Sequence, residues 1–186
     1  DVRVRVGAAG VNFADALMRM GLYPEAPKRP FVPGYEVAGT IIEVGSAVAG
    51  FKKGDRVLAG SHFGGYTTEI VVPEFQARRI PDGMTEIEAA SIPVNFMTAW
   101  VALEEMGRVR KGDRVLIQSA AGGVGVAAIQ LAARHGARVS GLLGSPQKFE
   151  AVRDLGLSEM VSYEQWEDPV ASKKLEGKFD LISDST

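Results

Sequence analysis

A glycine-rich turn between a strand-like run and a helix-like run constrains the fold of this chain more than any other feature. The turn, residues 120–125 (Ala-Ala-Gly-Gly-Val-Gly), follows the β-type run 114–119 and leads into a helical run at 124–135. Small residues here let the backbone approach a bound group and let the helix pack closely on the strand. The unpaired N–H groups at the start of that helix can hold an anion. The turn therefore predicts a βαβ unit that binds a dinucleotide.

The rest of the second half alternates between strand and helix signals. Beyond the turn we predict strands at 138–142, 160–162 and 179–183 and helices at 146–155 and 166–175. Strands that alternate with helices form a parallel sheet with helices on both faces. We therefore predict an α/β fold whose second domain, residues 94–186, is a partial Rossmann doubly wound parallel sheet that ends after the fourth of six strands.

The first half has a different rhythm, with short β-type runs separated by Gly and Pro. We predict strands at 2–6, 36–44, 56–58 and 67–72, and a helix at 12–20 that ends at Gly21. A capping-box pattern at Thr85 and Glu88 predicts a short helix that stops near Pro93, followed by a helix at 95–106. Residues 1–93 are therefore predicted to form a β-rich domain.

Composition excludes several classes of function. The chain is 46% hydrophobic and 24% charged with a formal net charge of −2, so it is globular and offers no basic face to nucleic acid. It lacks a long apolar span, which predicts no integral membrane segment, and the absence of a signal peptide predicts a cytoplasmic location. The chain begins inside a strand pattern, so a targeting segment upstream is compatible with it. Without cysteine, disulfides, thiolate ligands and a cysteine nucleophile are excluded.

The second strand of the βαβ unit indicates which dinucleotide is bound. Selection of NAD needs an acid about 20 residues beyond the glycine turn, where it binds the ribose 2′-hydroxyl. The strand here ends at Gly144 without an acid, and Ser145 and Lys148 follow as a helix N-cap and a first-turn ammonium. Both groups suit a 2′-phosphate, whose charge an acid would repel. We therefore predict NADP(H) as the cofactor.

Four stretches together resemble the medium-chain dehydrogenase/reductase superfamily. They are residues 10–15 (GVNFAD), 33–39 (PGYEVAG), 64–67 (GGYT) and 119–125 (SAAGGVG). The resemblance is closest to the zinc-free quinone oxidoreductase branch, and residues 92–100 are similar to the vesicle amine transport protein subgroup. It implies a GroES-like domain followed by a Rossmann domain, a homodimer at full length, and a chain truncated at both ends.

The resemblance also bears on metal binding. Zinc-dependent members of the superfamily bind catalytic zinc through Cys, His and Cys, and the matching positions here are Asn12, Tyr35 and Val94. These residues are not a competent zinc ligand set, and a four-cysteine structural site needs cysteines that this chain lacks. We therefore predict no metal site.

The resemblance further implies which residues contact substrate and cofactor. The segment after the first strand faces the nicotinamide in the family, and it carries Asn12, Asp15, Arg19 and Tyr23. Tyr23 is a candidate proton donor and Asn12 a candidate for orienting either partner. Asp15 is equally compatible with a helix cap, and Arg19 with an i,i+4 pair to it. Tyr23 is equally compatible with a wall role, with the proton taken from water. The remaining cofactor contacts are predicted at Asn95, Thr98, Ala121, Gly122, Gly123, Val124, Gly144, Ser145, Lys148 and Tyr163.

Together these features predict a zinc-independent, NADPH-dependent oxidoreductase that transfers a hydride to a small-molecule quinone or α,β-unsaturated carbonyl. One alternative is an enoyl-reductase domain of a larger synthase, since such domains share the Gly-Leu-Tyr-Pro stretch at 21–24. Another is a non-catalytic NADP-binding protein, structural or vesicle-associated, because a fold does not settle a function.

Overall fold

The computed structural model describes residues 1–173 and 175–184. Contacts between residues divide the chain into two compact units, one that ends at Val94 and one that begins at Asn95.

The first unit is built mainly from short strands. In chain order its elements are β1 (Val2–Ala9), α1 (Phe13–Met20), β2 (Glu36–Val44), β3 (Arg56–Gly60), β4 (Glu69–Val72), β5 (Ala77–Arg79), α2 (Glu86–Ala90) and the first residues of α3 (Pro93–Trp100). The strands form one antiparallel sheet in the order β4-β1-β2-β3-β5. Alternate residues of β1 are buried, as expected of a strand with one face on a core.

Each face of this sheet packs against apolar material. One core gathers buried side chains from β1 to β5, namely Val2, Val4, Val37, Ile41, Val57, Ala59, Val72 and Ala77. A smaller second cluster is formed by Ala89 and Ala90 of α2 together with Ala38 and Ile80. The predicted capping box starts α2, since Thr85 Oγ1 accepts the Glu88 N–H and Glu88 accepts the Thr85 N–H.

The second unit alternates strands and helices. After α3 its elements are β6 (Arg114–Ile117), α4 (Gly123–Arg134), β7 (Arg138–Leu143), α5 (Pro146–Val152), β8 (Leu157–Ser162), α6 (Tyr163–Glu167), α7 (Pro169–Lys173) and β9 (Leu181–Ser183). All strand pairs are parallel, in the order β8-β7-β6-β9.

Both faces of the parallel sheet are covered. Val115 and Ile117 of β6 pack in a core with residues of α3, α4 and α5. Leu116, which points to the opposite face, packs with Leu142, Val161 and the aromatic side chains of Trp166 and Phe179. A β-rich antiparallel unit followed by a parallel sheet with helices on both faces confirms the predicted fold class.

Several element boundaries differ from those predicted from sequence. The predicted strand at 67–72 starts only at Glu69, and β8 starts at Leu157 rather than at 160. The helix expected at 95–106 begins at Pro93 and widens to a π-helix at Val101–Met106, where the Gly107 N–H bonds to Ala102 O five residues back.

The helix expected at 166–175 is two short helices, α6 and α7, and its residue Lys174 lies outside the described residues. The two helices separate at Asp168, because the following Pro169 has no N–H and disfavours helical geometry in the residue before it.

Candidate functional site

The strand order of the second unit creates a ligand-binding edge. The chain leaves β6 toward β7 on one side, whereas β9 flanks β6 on the other side, so the connections diverge at β6. Ligands of open α/β sheets bind at the carboxyl ends of strands at such a point. The predicted cofactor residues after β6, β7 and β8 therefore lie along one edge of the sheet.

The loop after β6 has the geometry of an anion cradle. The Gly122 N–H donates to Ser119 O over 2.7 Å, and α4 starts at the next residue. Gly122 has no side chain to cap the helix, and both Gly122 and Gly123 are exposed. Ser119 adopts a positive φ of 47°, a conformation uncommon outside glycine and frequent at functional sites. Backbone N–H groups at this helix start can bind a phosphate.

The glycines of this loop are required by close neighbours. A Cβ atom at Gly125 would lie 2.7 Å from the Ala120 Cα, so only glycine lets α4 pack this closely on the end of β6. At Gly123, a Cβ atom would lie 2.9 Å from the Asn95 Cγ. The Asn95 side chain, predicted as a cofactor contact, thus lies against the start of α4.

Three further predicted residues follow β7. Gly144 is exposed, and Ser145 caps α5 by accepting the Lys148 N–H at its Oγ over 3.4 Å. The Lys148 side chain is exposed in the first turn of that helix. A residue with a hydroxyl and a residue with an ammonium therefore share the first turn of α5, as their spacing in the sequence predicts.

Tyr163 connects the ends of three strands. It is the first residue of α6, directly after β8, and its hydroxyl lies 3.3 Å from the Ser119 hydroxyl in the loop after β6. Its ring Cδ2 lies 3.8 Å from where a Cβ atom would be at Gly144. Sequence reasoning missed Ser119, although it stands directly before the glycine turn. Thr98 is exposed on α3, three residues beyond Asn95.

In the first unit, Tyr35, directly before β2, and Glu36, its first residue, contact the predicted catalytic residues. The Asn12 Nδ2 donates to Glu36 Oε1 over 2.8 Å. The Tyr23 ring packs edge-on against Tyr35, with ring centroids 6.4 Å apart. Asn12 is the N-cap of α1 and donates its backbone N–H to Asp15 Oδ2 over 2.8 Å. The structure thus places Asn12 and Tyr23 around the same short segment.

Two buried acids surround Asn12. Asp15 lies in the segment predicted to face the nicotinamide, whereas Glu36 is not among the residues predicted from the motifs. Glu36 is 1% exposed and Asp15 is 5% exposed. Burial raises the pKa of Glu36, against hydrogen bonds from Val94 and Asn12 that lower it. Asp15 accepts hydrogen bonds from the Gly34 N–H and the Tyr66 hydroxyl. Burial of Tyr66, and next its hydrogen bond to Asp15, raises the pKa of Tyr66 to about 12. An acid within the apolar run after Tyr35 is the signal that could have identified Glu36.

Tyr35 is the centre of an aromatic cluster, defined by Tyr23, Phe31, Tyr35, His62 and Phe63. The Tyr35 and Phe63 ring centroids are 5.3 Å apart, and Phe63 also contacts Phe31 and His62. Burial, and next the hydrogen bond with Tyr23, raises the pKa of Tyr35, so its hydroxyl keeps its proton. Such rings offer flat apolar surface beside two hydroxyl groups.

The donor set does not fit a zinc ion. The positions that match the family's ligands carry an amide, a phenol and a hydrocarbon side chain at Asn12, Tyr35 and Val94. Within residues 1–173 and 175–184, no three His, Asp or Glu side chains are grouped as metal ligands. His62 stacks on Phe63, and His135 contacts Glu104.

A dinucleotide does fit the second unit. The exposed backbone at Gly122 and Gly123 can bind a pyrophosphate, and a side chain at either position would obstruct contact between the phosphates and the backbone.

Among the described residues, no helix is long and apolar enough to cross a bilayer.

Comparison with known proteins gives the family of the chain. The family model of the alcohol dehydrogenase GroES-like domain matches residues 1–82, and that of zinc-binding dehydrogenases matches residues 123–186. The human synaptic vesicle membrane protein VAT-1 homolog is 39% identical over 183 residues, which are 97% of this chain and 46% of that protein. The polyketide synthase GfsB of Streptomyces halstedii is 43% identical over 158 residues, which are 85% of this chain and 3% of the synthase.

A solved structure extends these matches. The quinone oxidoreductase of Thermus thermophilus, whose complex with NADPH is also solved, has a TM-score of 0.83 and 37% identity over 97% of this chain and 56% of that chain. The chain thus spans about half the length of the human protein and of the Thermus enzyme. With the two sheets described above, these matches confirm the resemblance of the motifs: the chain belongs to the medium-chain dehydrogenase/reductase superfamily, among its quinone oxidoreductase-like members.

Proposed function

We propose that the protein that carries this chain transfers a hydride from NADPH to a quinone or α,β-unsaturated carbonyl without a metal ion. The observation that carries the proposal is the carboxyl edge of the parallel sheet. It combines an uncapped helix start at Gly122 with Ser145, Lys148 and Tyr163, and β7 ends without an acid.

The choice of NADPH over NADH rests on charge. A ribose 2′-phosphate needs hydrogen-bond donors and a cation, and Ser145 and Lys148 supply a hydroxyl, a helix N-terminus and an ammonium within one turn. Tyr163 adds a second hydroxyl from the neighbouring strand end. The quinone oxidoreductase of Thermus thermophilus has been solved in complex with NADPH, which supports this choice.

The substrate class rests on the aromatic cluster and on Asn12. NADPH supplies the hydride when bound, and the carbonyl oxygen of the acceptor then gains negative charge. That oxygen needs hydrogen-bond donors in place of a metal ion. We assign this task to the Tyr23 hydroxyl and to Asn12, while the rings of Tyr35 and Phe63 hold a flat acceptor. The proton comes from Tyr23 or from water.

Removal of the Lys148 charge tests the cofactor assignment. For Lys148→Met we expect weaker NADPH binding, by about 10- to 150-fold, because a hydrogen bond to a charged group contributes about 1.5–3 kcal/mol. NADH lacks the 2′-phosphate, so its affinity should not change. Lys111→Met is the matched control, because Lys111 is an exposed lysine at the opposite, amino end of β6. An equal loss for both dinucleotides, or a wild-type preference for NADH, would contradict NADP(H).

Two alternatives follow from the similarities. The matches to a polyketide synthase and to the solved CurK enoyl reductase support reduction of an enoyl thioester within a larger synthase. The match to a synaptic vesicle membrane protein homolog supports a vesicle-associated role, for which binding without turnover is the alternative that we retain. Oxidation of NADPH by quinones, by small enones and by enoyl thioesters distinguishes these functions, and tight NADPH binding without any oxidation indicates the non-catalytic one. A homodimer and a cytoplasmic location stay predictions.

A further inference from the structure

Glu36 is enclosed by two segments of the first unit, residues 10–12 and the start of α3. Its Oε1 accepts the Asn12 side-chain N–H and its Oε2 accepts the Val94 backbone N–H, each over 2.8 Å. On its remaining side, a Cβ atom at Gly10 would lie 2.5 Å from the Glu36 Cγ, so the side chain fits only because residue 10 is glycine. With 1% of the residue exposed, its two oxygens have these two N–H groups as partners.

This arrangement fixes the orientation of the Asn12 amide. An ionised carboxylate only accepts hydrogen bonds, and the Val94 N–H belongs to the backbone and cannot turn round. The Asn12 amide must therefore direct its nitrogen to Glu36. Its oxygen then lies on the side of the capping box at the start of α1, where the Asp15 N–H also bonds to the Asn12 backbone oxygen over 3.0 Å. The Nδ2 atom carries two hydrogens, and the second one is not used by the bond to Glu36.

We propose that Glu36 is a positioning residue that, through Asn12, presents an N–H donor to the carbonyl oxygen of the bound acceptor. The proposal rests on the proposed function, because it takes Asn12 as a substrate contact. Glu36 itself is too enclosed to touch the acceptor. Without an acceptor-only partner, the Asn12 amide could present its oxygen as readily as its nitrogen, and the oxygen would repel a developing negative charge.

Two variants separate this role from a merely structural one. In Glu36→Gln the new amide must keep its oxygen on the Val94 N–H, so its nitrogen faces Asn12. Either two donors then meet, or the Asn12 amide turns its oxygen toward position 36 and leaves the capping box without an acceptor. We expect a lower melting temperature and a kcat at least about tenfold lower, because a donor to a developing oxyanion contributes about 10²–10³ in kcat.

The double variant Asn12→Asp, Glu36→Gln reverses the polarity of the pair. The new glutamine nitrogen can donate to the new aspartate, which also caps α1 well through its other oxygen. The melting temperature should therefore return close to the wild-type value. The kcat should stay low while the KM for NADPH does not change, because position 12 no longer has an N–H to offer. Recovery of both melting temperature and kcat would overturn the proposal and leave Glu36 a structural residue.

A measurement that needs no turnover tests the orientation itself. In the wild-type chain with ¹⁵N-labelled asparagine, we expect the Asn12 side-chain amide signals to shift as Glu36 titrates, and this response should be absent in Glu36→Gln. An Asn12 amide that ignores the titration would overturn the proposal. A wild-type protein that shows this response but no reductase activity would instead contradict the proposed function, and with it the donor role of Asn12.

Discussion

The hydroxyl groups of Ser119 and Tyr163 lie 3.3 Å apart and join the loop after β6 to the end of β8. The two residues are 44 positions apart in the chain, and the parallel sheet brings them together because both follow the carboxyl end of a strand. Each hydroxyl can donate as well as accept, so the pair can bind an anion without losing its internal contact. It therefore links the proposed pyrophosphate site to the proposed 2′-phosphate site.

Removal of the Tyr163 hydroxyl should weaken NADPH binding. In Tyr163→Phe we expect the dissociation constant to rise about 2- to 12-fold, since one net hydrogen bond contributes about 0.5–1.5 kcal/mol. Isothermal titration calorimetry with NADPH and NADH measures it, and the loss should be larger for NADPH. Tyr66→Phe, which removes a hydroxyl bonded to Asp15 in the first unit, is the control and should leave both affinities unchanged. Unchanged NADPH affinity in Tyr163→Phe would remove Tyr163 from the cofactor site.

Gly125 should tolerate no side chain. In Gly125→Ala the added Cβ atom would lie 2.7 Å from the Ala120 Cα and 2.8 Å from its carbonyl carbon, and neither backbone atom can move independently. We expect a loss of about 1–3 kcal/mol in the free energy of unfolding of the second unit, the usual cost of overpacking. Both tryptophans, Trp100 and Trp166, belong to this unit, so their fluorescence in a denaturant titration reports its unfolding.

Gly144→Ala is the matched control for that substitution. Gly144 is exposed, and the nearest atom to its added Cβ would be the Tyr163 Cδ2 at 3.8 Å, an ordinary contact. Its free energy of unfolding should change by less than about 0.5 kcal/mol. Equal stability of the two variants would mean that α4 can shift away from β6, contrary to the close packing described here.

Local signals in the sequence were enough to predict much of the fold. The strand predicted at 36–44 coincides with β2, and the capping box at Thr85 is formed, because both depend on residues a few positions apart. The short strand β5 was missed, since Ala77–Arg79 contains two arginines and is a strand only through its pairing with β3. Pro169 is a sequence signal for a helix break, but the helix predicted at 166–175 did not take it into account.

In the candidate site, too, contacts between residues close in the sequence could be predicted, whereas contacts between distant segments could not. Ser145 and Lys148 are three residues apart, so a helix start brings them together without tertiary structure. The Asn12–Glu36 bond spans 24 positions and the Tyr23–Tyr35 contact joins two irregular segments, so no periodicity predicts either of them. Motif resemblance suggested Asn12 and Tyr23, but only the folded sheet shows which side chains hold them.

The ion pair between Arg114 and Asp180 should make the second unit sensitive to acid. Arg114 holds the pKa of Asp180 well below its ordinary value, first through side-chain hydrogen bonds and then through its backbone N–H. A carboxyl with a lowered pKa contributes stability above its unfolded pKa, about 4, and loses it as the pH falls toward the folded value. The stability difference between wild type and Asp180→Asn should therefore be constant above about pH 5 and shrink below about pH 4.

Tryptophan fluorescence against denaturant, repeated across this pH range, measures that difference. Both partners are about half exposed, so high salt should also reduce it. Glu164→Gln, which removes an exposed carboxylate on α6, is the control and should show no such pH dependence. A difference between wild type and Asp180→Asn that stays constant down to about pH 2 would show that the pair does not stabilise the β6–β9 contact.

Loss of the Tyr23 hydroxyl should affect chemistry more than cofactor binding. The Tyr23 ring packs on Tyr35 through its edge, so Tyr23→Phe preserves this contact and removes only the donor. If Tyr23 supplies the proton, kcat should fall about 10²- to 10⁴-fold, the usual contribution of a general acid, while the NADPH dissociation constant stays constant. Stopped-flow oxidation of NADPH by a quinone measures the step, and Phe31→Leu in the same cluster tests for a general packing effect. Unchanged turnover would assign the proton to water and leave Tyr23 as part of the wall.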